Sequence, residues 1–303
     1  MRPTTRLKQL IAAPDILVMP GVHDALGCRL ADAAGFEAIT AGGYGATATL
    51  LGRPDSSQLS LTELAAMYGR MCEATALPLL ADADTGFGNV TNVARTVALY
   101  EKAGVAGLFI EDQVFPKRCG HMAGKAVVPA AEWLAKIKAA LDARGDPDFV
   151  IMARTDALAV NGLDDAIARA QMACEAGADL LFVEAPTDVA QMHRICAEVP
   201  GPCLANNVET GLSPLLSAGE LEAIGYAAVV FPVAATYAVA RALRDLFEVI
   251  RRTGSTKEAL PLLATFDEFN ELVGLSEQRR REAELVQFAT DLVTRCATQA
   301  TPK

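Results

Sequence analysis

Short apolar runs recur along the chain and alternate with longer amphipathic stretches. The runs fall at Ile16–Val22, Ala38–Gly43, Pro78–Asp84, Gly107–Asp112, Phe149–Asp156, Leu180–Ala185, Pro202–Val208 and Ala227–Val233. Most are nearly continuous rather than alternating, as expected of strands covered on both faces. Between them lie stretches with helical spacing, among them Thr91–Ala103, Ala130–Ala143, Leu163–Ala176 and Val189–Val199. This alternation predicts parallel pairing through strand–helix–strand units.

A weak internal repeat supports one unit used many times. Gly35, Gly104, Gly177 and Gly225 each stand between a helical stretch and the next apolar run. Glycine just past a helix end takes the left-handed turn that other residues resist. Eight units over about 240 residues match a closed (β/α)8 TIM barrel, an α/β fold. An open doubly wound sheet would carry Gly-x-Gly-x-x-Gly after its first strand, which is missing here. Beyond Thr253 the pattern turns wholly helical, over Lys257–Leu275 and Glu277–Cys296, and is too polar for a second core. The expected organisation is a catalytic barrel over residues 1–253 and a helical extension over 254–303, packed on the barrel or on a neighbouring subunit. Leu260, Leu262, Leu263, Phe266, Phe269, Leu272 and Val273 are more apolar positions than one barrel surface hides. A dimer-based oligomer follows.

Composition narrows the function. Apolar residues make up 51% of the 303 residues and charged ones 21%, which excludes disorder for most of the chain. Twenty-seven basic against 37 acidic side chains leave a net charge of -10 with no basic stripe, so neither nucleic acid nor an anionic membrane is an expected partner. The uncharged run Ala223–Ala240 contains Gly225, two tyrosines and Pro232, and reads as a buried strand leading into a helix rather than a membrane span. Seven scattered cysteines without a Cys-x-x-Cys pair argue against disulfides or structural zinc, and no secretory signal is visible. A soluble cytoplasmic protein is expected.

In a barrel of this kind the chemistry sits at the carboxyl ends of the strands. Those ends carry Asp82 and Asp84, Glu111 and Asp112, Arg154 and Asp156, Glu184, then Asn206 and Asn207. Residues two apart on a strand face the same way, so Asp82 and Asp84 are expected to act together. Any one of these acids could simply cap a loop or form a salt bridge. Several converging on one volume would repel unless a cation sat among them. Oxygen ligands without a histidine at ligand spacing favour Mg²⁺ or Mn²⁺. After the fourth run comes Lys117-Arg118-Cys119-Gly120-His121. A thiol beside two cations and a histidine is expected to have a lowered pKa and to be reactive. The other six cysteines read as core, Trp133 as packing, His193 as surface, and His23 as either near the site or a helix starter.

The stretches Asp82–Asn89, Glu111–His121 and Ala153–Asp156, with Leu51–Asp55 and Phe182–Ala185, resemble the isocitrate lyase and phosphoenolpyruvate mutase superfamily in order and spacing. The resemblance runs from Ile16 to Thr253, and the Lys117–His121 loop is similar to the gating loop of the lyase branch, which closes over substrate. It implies a barrel whose eighth helix is exchanged between subunits of a homotetramer, a dimer of dimers. It also implies Mg²⁺ held by Asp84, with Asp82 and Glu111 acting directly or through water. Lys117, Arg118, Cys119 and His121 would be catalytic. Ala41, Gly42 and Gly43 match a Ser-Gly-Gly stretch whose backbone N–H groups hold a keto-acid end, with alanine in place of the serine. Arg154 would pair with a substrate carboxylate; Asp55, Gly120, Glu184 and Asn206 would line the rest. Asn206-Asn207-Val208-Glu209-Thr210-Gly211 is nearer the alkylmalate, oxaloacetate and mutase members than the methylisocitrate ones.

The resulting expectation is a Mg²⁺-dependent carbon–carbon lyase. It would cleave a substituted 2-hydroxy di- or tricarboxylate, of the 2-methylisocitrate or 2,3-dimethylmalate type, to pyruvate or another 2-oxo acid plus a carboxylate. Cys119 would protonate the leaving carbanion. The alternatives are a phosphonomutase, an oxaloacetate-cleaving enzyme, and a barrel that binds a metal or small acid without turnover.

Overall fold

Each of the eight apolar runs holds one strand in the computed structural model, which describes residues 1–122 and 124–299. The strands are β1 (Leu17–Pro20), β2 (Ile39–Ala41), β3 (Leu79–Asp82), β4 (Gly107–Glu111), β5 (Val150–Thr155), β6 (Leu180–Val183), β7 (Leu204–Asn206) and β8 (Ala228–Phe231). All pair in parallel, β2 through β6 in sequence order and β7 to β1 through β8. Single bridges from Gly21 to Thr40 and from Leu181 to Cys203 join the two sets and close the barrel.

The pleat sorts each strand into two cores. Ile39, Leu79, Ala81, Leu108, Ile110, Ile151, Ala153, Leu181 and Val183 pack with helix residues such as Val93, Trp133 and Ile137. The alternate positions Leu80, Phe109, Val150, Met152, Phe182, Leu204 and Val230 fill a second cluster inside the barrel, with Leu7 and Ile11 of the helix Pro3–Ile11. That helix is tied by Thr4 and Thr5 to Asp146 and Asp148, just before β5, so it plugs the amino-terminal end. Two residues further along the interior series stand Asp82, Glu111, Arg154, Glu184 and Asn206. The polar residues of the carboxyl end are thus the next turn of the same inward-facing pattern.

Gly35, Gly104, Gly177 and Gly225 all adopt the left-handed conformation after their helices, with φ of 84°, 86°, 103° and 114°. The helices Ala130–Ala143 and Leu163–Ala176 have their predicted bounds, and two others run Val90–Lys102 and Val189–Glu198. Trp133 is fully buried, donating its indole N–H to the Ile110 carbonyl.

The chain divides into one unit over Met1–Ala242 and a second that begins at Leu243, a division that falls within the helix Ala234–Thr253. In the second unit the predicted helix Lys257–Leu275 is broken. A 3-10 turn, Lys257–Leu262, contains Pro261, which has no N–H to give, and Thr265 then caps a new helix, Phe266–Leu272. The last helix is Leu275–Gln299, and residues 300–303 of the expected extension lie outside the described residues. No residue of Ala234–Thr253 is buried, and Leu262 and Phe266 are each 83% exposed. The run Ala223–Ala240 comprises a helix end, β8 and a helix start. Among the described residues no helix is long and apolar enough to cross a membrane. All seven thiols are free; Cys296 is exposed rather than core, because its helix carries no buried face at that position.

Candidate functional site

The carboxyl ends of the strands surround a cavity of about 230 Å³. Gly42, Gly43, Tyr44, Asp55, Asp82, Lys117, Cys119, Gly120, His121, Arg154, Glu184 and Asn206 are among its lining residues. Most of the residues singled out in the sequence are therefore brought together. Asp84 and Glu111 stand just behind the lining, in contact with Lys117 and Arg154, whereas Ala41 is buried in β2 and faces away, and the Arg118 side chain is exposed while its backbone N–H and C=O are held by the Gln113 amide.

Asp82 and Asp84 are gathered by a different geometry from the expected pleat. β3 ends at Asp82, and Asp84 turns out of it with a left-handed φ of 47°. Asp82 Oδ1 accepts the Asp84 N–H at 2.8 Å and Oδ2 accepts the Gly43 N–H at 2.7 Å. The Gly43 amide is thereby committed to an aspartate rather than offered to a substrate. Tyr68 and Tyr100 donate their hydroxyls to the Asp82 carbonyl from below and pin the strand end.

Lys117 reaches into this acidic group. Its Nζ lies 2.9 Å from both Asp55 Oδ2 and Asp84 Oδ1 and 3.9 Å from Asp82 Oδ2. Burial alone would lower the ammonium, but Asp84, Asp82, Glu111 and Asp55 together carry it well above the ordinary lysine range. Burial lifts the Asp84 carboxyl to about 6 against the pull of Lys117, and lifts Glu111 well above its usual value against Arg154 and Lys117.

As they stand, no three His, Cys, Asp or Glu side chains among the described residues form a metal-ready cluster, since Lys117 already occupies the space between the aspartates. Yet both Glu111 carboxylate oxygens are buried without a hydrogen bond, Oε2 having only the Arg154 guanidinium at 3.3 Å, while Asp84 Oδ1 is met by the Lys117 ammonium alone. Buried carboxylate oxygens short of hydrogen-bond donors, as on Glu111, are what a hard divalent cation takes, so the donor chemistry fits Mg²⁺ or Mn²⁺.

Across the cavity, Arg154 faces three acids. Its Nε lies 2.9 Å from Asp156 Oδ2 and 3.3 Å from Glu111 Oε2, and an Nη is 3.5 Å from Glu184 Oε2. The guanidinium also lies over the Phe182 ring at 5.2 Å. Burial opposes ionisation of Asp156 and Glu184, but Arg154 together with Lys125 on the first and His121 on the second holds both carboxyls below the usual range. His121 Nδ1 accepts the Leu212 N–H at 2.9 Å, which leaves its proton on Nε2, 3.0 Å from Glu184 Oε1. Asn206 donates to Glu184, and its own Oδ1 is unpaired.

Cys119 departs from the reactive-thiol expectation. Burial pushes its pKa up, and the hydrogen bond to the His121 backbone and the pull of Arg154 do not overcome it. Flanking cations along the chain do not acidify a thiol when one of them, Lys117, is spent on aspartates and another, Arg118, points outward. Sequence reading also missed Tyr44, Tyr237 and Lys125. Tyr44 follows Gly42-Gly43 directly and was findable there; its ring packs edge-on to Tyr237, 6.2 Å between centroids. Tyr237 and Lys125 had no local signal. His23, buried, lies 3.4 Å from the Thr236 hydroxyl and outside the cavity lining, while Asp24 caps the following helix.

The sequence profile of the phosphoenolpyruvate phosphomutase family matches residues 7–251. The 2,3-dimethylmalate lyase of Eubacterium barkeri is 45% identical over 282 residues, 93% of this chain and 98% of that protein. A crystal structure of 2,3-dimethylmalate lyase superposes with a TM-score of 0.88 at 35% identity, over 94% of this chain and 96% of the other. Phosphonopyruvate hydrolase, solved in complex with oxalate and Mg²⁺, gives a TM-score of 0.85 at 32% identity, over 93% and 99%.

Proposed function

The chain belongs to the phosphoenolpyruvate mutase and isocitrate lyase superfamily, and on that footing we propose that it is a carbon–carbon lyase acting on a 2,3-dialkylmalate. The observation that carries this reading is one cavity lined by a protonated thiol, by the Arg154 guanidinium, which three carboxylates share, and by the buried acids Asp55, Asp82 and Glu184. Among its lining residues Lys117, His121 and Arg154 are the only cationic types, and Lys117 is engaged by aspartates. One guanidinium and a metal serve two carboxylates. A third, as in a methylisocitrate, would have to lie near Glu184 or Glu209. Met122, Val208, Val233, Tyr44 and Tyr237 offer apolar surface for alkyl groups instead.

Mg²⁺, held by Asp84 and Glu111 with Asp82 beside them, would supply Lewis-acid stabilisation of the charge that develops on the hydroxy acid as the carbon–carbon bond breaks. The protein's own part is positional and protic. Arg154 orients the carboxylate of the departing fragment, its fork geometry being suited to that task. Cleavage between C2 and C3 of 2,3-dimethylmalate gives pyruvate from the hydroxyl-bearing half. The bonding pair stays on C3, and Cys119 Sγ gives that carbon a proton, yielding propionate. A raised thiol pKa suits this role, because the donor must carry its proton when substrate arrives. The hydroxyl proton leaves to solvent as the C2 oxygen becomes the pyruvate carbonyl, and one proton returns to the thiolate before the next turnover, so the protons balance.

The assembly belongs to the same proposal: a homotetramer built as a dimer of dimers, with the unburied helix Ala234–Thr253 as the exchanged eighth helix. The seven free thiols accord with a reducing compartment such as the cytoplasm. The test is a panel of 2,3-dimethylmalate, 2-methylisocitrate, isocitrate and oxaloacetate, with Mg²⁺ and with excess chelator, scored for 2-oxo-acid release. Dimethylmalate should be preferred and chelator should abolish turnover. Full activity in chelator, or preference for a tricarboxylate, would overturn it.

A further inference from the structure

Lys125 lies beyond Cys119 in a loop, yet its side chain is only 3% exposed. The ammonium donates to the Gly120 carbonyl and, at 2.8 Å, to Asp156 Oδ1. Both acceptors lead to the cavity. Gly120 packs so closely that a Cβ on it would fall 2.5 Å from an Arg154 Nη and from the Glu184 carboxyl carbon. Asp156 receives Arg154 through Nε at 2.9 Å and Nη2 at 3.1 Å.

We propose that Lys125 is a positioning residue that sets Cys119 and Arg154 together, holding the thiol's neighbour by its carbonyl and the guanidinium's partner by its carboxylate. Its kinetic consequence rests on the lyase reading above.

Two considerations support it. The first is charge. Arg154 faces Glu111, Asp156 and Glu184, and one guanidinium cannot satisfy three carboxylates while also binding substrate. A second cation on Asp156 leaves Arg154 freer for an incoming carboxylate. The second is placement. Asp156 is itself fixed: its N–H donates to Asp112 Oδ1 at 2.8 Å, and Asp112 Oδ2 accepts the Thr155 hydroxyl at 2.6 Å and Arg169 Nη1 at 3.2 Å. Arg169 also donates to the Val128 carbonyl at 2.9 Å, and Val128 N–H returns to the Asp112 carbonyl. Lys125 therefore reaches from a rigid carboxylate to Gly120, which among the described residues is otherwise held by close contacts with Arg154 and Glu184. A buried ammonium is costly unless well paired, and its carbonyl partner here is the residue next to the thiol.

The test compares wild type with Lys125→Met, Lys125→Gln and Lys125→Arg, using iodoacetamide alkylation followed cysteine by cysteine by mass spectrometry in Mg²⁺-containing buffer. Cys119 should alkylate about tenfold faster in the Met variant, the scale of one charge-assisted hydrogen bond. Cys28 and Cys203, buried in the barrel unit, should keep their wild-type rates. Gln should resemble Met, and Arg should return the rate most of the way. Unchanged Cys119 alkylation, or all cysteines accelerating in step, would overturn the proposal. If Met does not fold, Gln decides by the same criteria. In the kinetic arm kcat on 2,3-dimethylmalate should fall with the same rank order while KM rises. A wild type inactive on the whole substrate panel would refute the lyase reading, and the alkylation pattern would still decide the role of Lys125.

Discussion

Replacing Lys117 by methionine tests the electrostatics of the site most directly. The change keeps most of the side-chain length and removes the charge that Asp55 and Asp84 share at 2.9 Å. All of these side chains are at most 6% exposed, so solvent does not screen the loss. Removing one partner of a buried ion pair costs about 3–5 kcal/mol. At about 2–4 °C per kcal/mol for a chain of this size, the melting temperature should fall by about 6–20 °C in chelator. Protonation limits the loss. Burial already lifts Asp84 to about 6 with Lys117 opposing it, and without the ammonium its folded pKa must rise further. A carboxyl raised above its unfolded value binds its proton preferentially in the folded state. Stability of the variant therefore increases as pH falls through that folded pKa, and the gap to wild type should be narrower at pH 5 than at pH 8. A divalent cation bound as proposed would replace the lost charge, and Mg²⁺ at a hundred times its dissociation constant would return about 2.7 kcal/mol. The assay is calorimetry in chelator and in Mg²⁺ at both pH values. A loss under about 2 °C, indifferent to pH and Mg²⁺, would show that the aspartates do not depend on Lys117.

Cys119→Ser should lower turnover by at least about 10²-fold with KM little changed, and a rate near wild type would remove Cys119 as proton donor. Because burial raises the thiol, alkylation of Cys119 in the resting protein should still be climbing with pH where an ordinary thiol has levelled off; an earlier plateau would contradict that environment. Gly120→Ala would place a methyl 2.5 Å from Arg154 and Glu184, so it should lose most turnover while the melting temperature stays close to wild type, and an active alanine variant would refute the packing. Light scattering at micromolar concentration should report a tetramer, and a monomer would exclude the exchanged-helix assembly.

The amino-acid sequence by itself determined the strand and helix order, the glycine stops at 35, 104, 177 and 225, and the strand ends that carry the polar residues. These features are local. Burial on both faces writes a continuous apolar run, a left-handed helix end demands glycine, and the pleat carries the inward series one step further, from Leu80 to Asp82 or from Met152 to Arg154. The tertiary structure alone decided what those residues experience. Lys117 meets Asp55 from 62 positions away, His121 meets the Leu212 amide across 91, and Lys125 reaches Asp156 across 31. The chain predicted an acidified Cys119 from its neighbours in sequence, whereas the fold sends those cations elsewhere and buries the thiol, so its pKa moves the other way. Periodicity reports which face a residue takes; desolvation and charge pairing depend on which distant residues the closed barrel brings to that face.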